Sequence, residues 1–147
     1  MTIVEQLKGF EGLRLTVYDD ATGAPIVPGS HVVGHPTIGY GRCLDTHGIS
    51  KDEAESLFNN DVVSHGLDLA RALPWVRNLD EVRRAVLVEM TFQMGVAGVL
   101  EFRNALRHIQ AGEFADAAKE MLASKWAEQT PNRAHRLSVQ LETGTWQ

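Results

Sequence analysis

Ser50-Lys51-Asp52-Glu53-Ala54-Glu55-Ser56-Leu57-Phe58 is where the texture of this sequence changes. Ser50 and Glu53 have the spacing of a capping box, and Asp52 and Glu53 fall in a first turn, where the helix dipole favours negative charge. Everything after Ser50 reads as helical. The helix that opens here is predicted to run to about Arg71 and to stop before Leu73-Pro74, a length that suits an element connecting two lobes. Upstream, from Leu13 to Asp45, the pattern alternates or is β-branched and is punctuated by Thr-Gly, Pro-Gly and Gly-His-Pro, which predicts two to four short strands. Ahead of them, residues 2–12 carry Ile3, Val4, Leu7 and Phe10 at helical spacing. Downstream, Asn78 and Glu81 repeat the capping-box spacing before Glu81 to Met94, a stretch apolar on most sides and so expected in the middle of a bundle. Further helices are expected at about 102 to 110, 113 to 123 and 131 to 141, the last opened by Thr130 as N-cap and Pro131 at the first helical position. The expected fold is α+β and a single domain: a lobe with a small antiparallel sheet over residues 1–50, a connecting helix over 51–72 and a helical lobe over 73–147.

Composition narrows the function. The 147 residues carry a formal net charge of -5, which argues against nucleic acid as the main partner, because phosphate neutralisation needs a Lys/Arg surplus on at least one face. The first 72 residues hold five Lys/Arg against ten Asp/Glu, while the second half balances. Cys43 is the only cysteine, which excludes an intramolecular disulfide, an all-cysteine zinc site and a CxxC redox motif. The N-terminal stretch is interrupted by Glu5, Lys8 and Glu11, so no signal peptide is read there, and no stretch approaches the roughly 20 apolar residues of a membrane span. The expectation is a soluble monomer made in a cytoplasm, without stable membrane insertion.

Three residues in or next to the sheet lobe bear chemistry. Glu11 ends the first helix, before Gly12, where the negative end of the dipole disfavours ionisation and favours the protonated form that a general acid needs. For a lone Glu, a solvated surface residue is the commoner reading. Asp20 closes the first strand, a position where Asp usually forms turns. Thr37 opens Thr37-Ile38-Gly39-Tyr40-Gly41, a strand whose two glycines permit close approach by another group.

Phe10-Glu11-Gly12-Leu13-Arg14-Leu15, then Tyr18 and Asp20, then Thr37-Ile38-Gly39-Tyr40-Gly41, resemble the lysozymes of T-even bacteriophages. Lys51-Asp52-Glu53-Ala54-Glu55, Leu57-Phe58-Asn59, Val82-Arg83-Arg84-Ala85, Phe92-Gln93-Met94-Gly95, Trp126, Gln129-Thr130-Pro131-Asn132-Arg133-Ala134 and Thr143-Gly144-Thr145-Trp146 continue the resemblance in order along the chain. It implies hydrolysis of the β-1,4 link between N-acetylmuramic acid and N-acetylglucosamine in bacterial peptidoglycan, with no cofactor. Glu11 matches the catalytic acid. Asp20 and Thr37 match the groups that orient the attacking water in an inverting scheme, for which a carboxylate gap of about 6.5 to 9.5 Å is needed. Arg133 matches an arginine that reaches the acid from the helical lobe, and Gln93 a glutamine that lines the cleft or packs between lobes. The family's role implies lysis of the host cell, with a membrane-permeabilising partner to release the enzyme to the wall. A catalytically inactive wall-binding module and a lytic transglycosylase are the alternatives.

The match departs from the family in three places. Sixteen residues lie between Asp20 and Thr37, many more than the family pattern has, so Ala21 to Pro36 carries an insertion, expected to extend a hairpin and to bring His31 and His35 near the cleft. No third ligand accompanies these histidines at zinc spacing, so no metal is expected. After Gly41 the family often has histidine, and Arg42 stands here. The resemblance sets it against Asp61, which predicts an Arg42–Asp61 ion pair between the sheet lobe and the connecting helix. The segment from Arg42 to Lys51 is also short, so a small helix flanking the cleft is expected to be missing.

Overall fold

The structure, a computed structural model, describes residues 2–147. Two units divide the chain, Met1–Glu55 and Ser56–Gln147, and the division falls inside the long helix α2 (Lys51–Ala72). The architecture is α+β: seven α-helices and one three-stranded antiparallel sheet among the described residues.

In the first unit, helix α1 (Ile3–Glu11) starts at a closed capping box, Glu5 N–H donating to Thr2 Oγ1 at 3.2 Å and Thr2 N–H to Glu5 Oε2 at 2.7 Å. It ends at Gly12, whose φ of 69° releases the chain into strand β1 (Arg14–Asp19). Strands β2 (Pro36–Gly39) and β3 (Arg42–Cys43) complete the sheet in the order β1-β2-β3. Tyr18 pairs with Thr37, and Thr37 with Cys43. The segment between β1 and β2 does not lengthen their hairpin. It turns back at once, Gly23 N–H donating to the Asp19 carbonyl at 2.7 Å, and lays Pro25 against the free edge of Tyr18. Ile26 N–H then donates to Val17 O at 3.0 Å. The inserted residues thus cover an edge that would otherwise present unpaired backbone groups. Ser50 and Glu53 form the capping box that opens α2, with bonds of 2.7 and 3.2 Å, and a turn, not a helix, fills the space between β3 and α2.

The second unit holds the core. A 3-10 turn (Pro74–Asn78) leads into α3 (Glu81–Leu100), followed by α4 (Arg103–Ala111), α5 (Phe114–Leu122), α6 (Lys125–Gln129) and α7 (Pro131–Thr143). Val86, Leu87 and Met90 of α3 are buried against Ile109, Met121, Leu137 and Leu141, each contributing on the order of 1.5 to 3 kcal/mol by leaving water. Two caps differ from expectation. Asp80, not Asn78, caps α3, its carboxylate accepting from Arg83 N–H at 2.9 Å, because Asn78 is taken up by the preceding 3-10 turn. Thr130 precedes α7 without capping it; its hydroxyl donates back to Trp126 O at 2.9 Å and closes α6. Gly95, at φ 73° and ψ 167°, breaks α3 one residue after the expected end at Met94.

Ser138 of α7 is 2 % exposed, and its hydroxyl has no hydrogen-bond partner among the described residues. Burying a hydroxyl without a partner costs free energy that an alanine would not. Ser138→Ala is therefore expected to raise stability by about 1 kcal/mol, read as a higher midpoint in urea with an unchanged slope. A lower midpoint would mean that the hydroxyl packs usefully.

Candidate functional site

Asp19 organises the candidate site, although Asp20 is the residue that faces solvent. The Asp19 side chain is 3 % exposed and accepts three backbone N–H groups: Val33 on Oδ2 at 2.7 Å, and Gly34 and Ala21 on Oδ1, each at 3.0 Å. These donors, the Val33 bond first, hold its carboxyl below the ordinary value of 3.8. Both ends of the inserted segment are thereby fastened to one anion. Gly34 fits because it lacks a side chain: a Cβ there would stand 2.2 Å from Asp20 Oδ1 and 2.8 Å from Ala21 N.

Fastening Gly34 delivers His35 to Asp20. His35 N–H donates to Asp20 Oδ1 at 2.7 Å, and Asp20 N–H returns a bond to His35 O at 3.1 Å. Thr37 Oγ1 donates to the same His35 carbonyl at 3.1 Å, and Thr37 is buried. Asp20 and Thr37 are thus brought together through one residue. The Thr37 proton is committed, so its hydroxyl can only accept from a further group, and Asp20 Oδ2 is left open among the described residues.

Glu11 comes to the same sheet at its β2–β3 turn. A Cβ on Gly41 would lie 2.9 Å from Glu11 Oε2, and Gly41 has a φ of 76°, so only glycine admits the carboxylate this close to the β2–β3 turn. Val4, Leu7, Lys8, Glu11, Tyr40 and Gly41 line a recess of about 400 Å3. Lys8 Nζ sits 5.3 Å from the centre of the Tyr40 ring. One carboxylate at an apolar recess, and a second beside a hydroxyl on the same sheet, are the elements of acid and base chemistry on a bulky polar substrate.

Residues 8–138 match the family model described as phage lysozyme. A protein named probable T4-type lysozyme 1, from Dictyostelium discoideum, is 33 % identical over 162 residues, covering 98 % of this chain and 95 % of the relative. The pre-baseplate central spike protein Gp5 of Enterobacteria phage T4 is 30 % identical over 98 % of this chain and 28 % of its own length. This chain belongs to the phage lysozyme family. The family is one of lysozyme-type peptidoglycan hydrolases, and the resemblance read from the sequence holds along most of the chain.

The other residues singled out in the sequence take the following places. Within the first unit the Arg42 guanidinium donates to Glu53 Oε1 at 2.7 Å and to Gly48 O at 3.0 Å, because the short β3–α2 connection holds the first turn of α2, where Glu53 lies, within reach. In the second unit, Gln93 Oε1 accepts from the Trp126 indole N–H at 3.0 Å. Arg133 Nε lies 3.6 Å from Glu89 Oε1, a carboxylate that Arg136 also approaches at 3.0 Å.

Sheet register assembles one cluster that linear spacing concealed. His35 Nδ1 lies 2.8 Å from Asp45 Oδ2, and the Cys43 thiol donates to Asp45 Oδ1 at 2.8 Å. Asp45 is held below the ordinary 3.8, first by the Cys43 bond and then by His35, and His35 is raised above 6.5, chiefly by its bond to Asp45. His31 is exposed and lies outside this group.

Asp19→Asn sets an amide donor against loop N–H groups and is expected to lower Tm more than Asp20→Asn, whose side chain takes a single backbone bond. Because the Asp19 carboxyl is depressed in the folded chain, its stabilisation is complete above 3.8 and is lost as pH falls through the folded value. The Tm gap between wild type and Asp19→Asn should therefore close on acidification below 3.8; thermal melts across that range that keep a constant gap would contradict the assignment.

Proposed function

We propose that this protein is a muramidase that hydrolyses the β-1,4 bond between N-acetylmuramic acid and N-acetylglucosamine with inversion, Glu11 acting as proton donor. The observation that carries the reading is the shared bonding of Asp20 and Thr37 to His35, which leaves two acceptors, Asp20 Oδ2 and Thr37 Oγ1, at one end of the β1–β2 strand pair. A water that donates one proton to each has a lone pair free to attack the anomeric carbon. Asp20 takes up the water's proton as the bond forms; the hydroxyl of Thr37 is too weakly basic to do so and serves to orient. Glu11 protonates the leaving oxygen as the glycosidic bond breaks through an oxocarbenium-like state. The apolar side chains of Val4 and Leu7 and the ring of Tyr40, which line the recess with Glu11, give a sugar ring a face to lie on.

Further parts of the proposal come from the family resemblance. Arg133 orients Glu11, and Gln93 lines the substrate path or supports it through Trp126. The enzyme works as a monomer, is made in a host cytoplasm, and reaches the wall for host lysis once a membrane-permeabilising partner acts.

Muropeptides released from purified peptidoglycan by wild type, Glu11→Gln and Asp20→Asn, analysed by mass spectrometry, test the scheme. Wild type is expected to give reducing muramic-acid ends, with activity falling at least about 10²-fold in each variant. Products with 1,6-anhydro ends would mark a lytic transglycosylase, and binding without cleavage would mark an inactive wall-binding module.

Gly41→Ala tests the placement of Glu11. A methyl at this position must push the carboxylate aside, and a misplacement of about 1 Å costs on the order of 10²-fold in rate. The loss is expected mainly in kcat. A variant that stays folded with full kcat would show that Glu11 need not sit against the turn.

A further inference from the structure

We propose that His35, Cys43 and Asp45 form a binding site for a divalent cation of borderline softness, of the zinc class, on the sheet of the first unit. Nδ1 or Nε2 of His35, Sγ of Cys43 and a carboxylate oxygen of Asp45 all lie within 4.8 Å of one another. A tetrahedral zinc ion with Zn–N and Zn–O bonds near 2.1 Å and Zn–S near 2.3 Å places its ligand atoms roughly 3.3 to 3.8 Å apart. Closing on a cation therefore asks for side-chain adjustments on the order of 1 Å, with the Asp45 carboxylate turning so that one oxygen faces both partners, from ligand atoms that now lie within 4.8 Å of one another. The ion takes the place of the proton that the Cys43 thiol now gives to Asp45. Thiolate, imidazole and carboxylate together suit zinc better than calcium or magnesium, which prefer oxygen alone.

The backbone under these three side chains is already fixed. Cys43 is the ladder partner of Thr37, Leu44 N–H donates to Pro36 O at 2.7 Å, and His35 N–H is held by Asp20. The ligands come from the approach to β2, from β3 and from the turn that follows, so no loop has to be ordered when the ion binds. His35 and Asp45 are each about half exposed (53 % and 45 % for the side chains), which leaves an open path from solution and room for a water as fourth ligand. His47 in the same turn is directed elsewhere, its Nδ1 3.0 Å from Thr46 Oγ1. The site adjoins the proposed catalytic pair without using it, so its occupancy can be tested apart from hydrolysis.

The experiment is titration of the full chain, reduced and stripped of metals, with Co2+ and then with Zn2+. The expected result is one equivalent of Co2+ bound with a thiolate-to-cobalt charge-transfer band and the intense visible bands of tetrahedral geometry, bleached when Zn2+ is added. Zn2+ should also raise Tm. Cys43→Ser is expected to lose the charge-transfer band. His35→Gln and Asp45→Asn, with circular dichroism unchanged in the absence of metal, should each weaken Co2+ at least about tenfold. The proposal is overturned if wild type gives no thiolate band. It is equally overturned if Cys43→Ser binds as tightly as wild type, which would assign the metal to other surface histidines, or if His35→Gln and Asp45→Asn both keep wild-type affinity, which would leave Cys43 acting alone.

Discussion

The buried carboxylate of Asp19, with its three backbone N–H donors, is the constraint on which the first unit depends. A long connection between two paired strands carries loop-closure entropy and many polar backbone groups. Asp19 answers both at one point, because Ala21 at the start of the connection and Val33 and Gly34 near its end bond to the same side chain. An anion is suited to this role, since hydrogen bonds to a charged acceptor are stronger than those to a neutral amide. What lies between, including the turn at Pro28-Gly29, is free to vary without moving the ends.

From that fixed point the geometry of the candidate site follows in short steps. Gly34 lies against Asp20 because no side chain intervenes, His35 then meets Asp20 through two backbone-mediated bonds, and its carbonyl takes the Thr37 proton. Glu11 arrives independently, by helix α1 ending one residue before a glycine and by Gly41 leaving space for its carboxylate. The site is built from close backbone approach, which is why Gly34 and Gly41 matter as much to it as the acids themselves.

Much of the fold was legible because hydrophobic periodicity and capping are local. The capping box of Ser50 and Glu53 opens α2 as the spacing predicts, and Met94 ends its helical run just before the break at Gly95. Local signals were misleading where two elements compete for one residue: Asn78 belongs to a 3-10 turn and Thr130 to the helix it closes, so neither caps the helix it precedes. Glu11, Asp20 and Thr37 stood out through the family resemblance. Asp19 did not, because an aspartate at a strand end reads as a turn former; only the burial of its side chain and the return of Val33 and Gly34 distinguish it. The Arg42 bond to Glu53 escaped notice for a related reason: it depends on how tightly the β3–α2 connection is drawn, a length effect that a match of motifs does not carry.

The inserted segment shows how a site tolerates added chain. An insertion that merely lengthened the β1–β2 hairpin would leave the outer edge of β1 with unpaired backbone groups. Here the added residues instead double back on the outer edge of β1, with Pro25 against Tyr18, and Tyr18 keeps Thr37 as its partner on the inner edge. A proline suits that outer position, because an edge residue need not supply an N–H to a further strand. The register that sets Thr37 beside Asp20 is therefore independent of the insertion's length, provided that its last residues still return to Asp19. The same return places the His35 ring against Asp45, so the segment that departs most from the family pattern also supplies the group that could give this member a chemistry of its own.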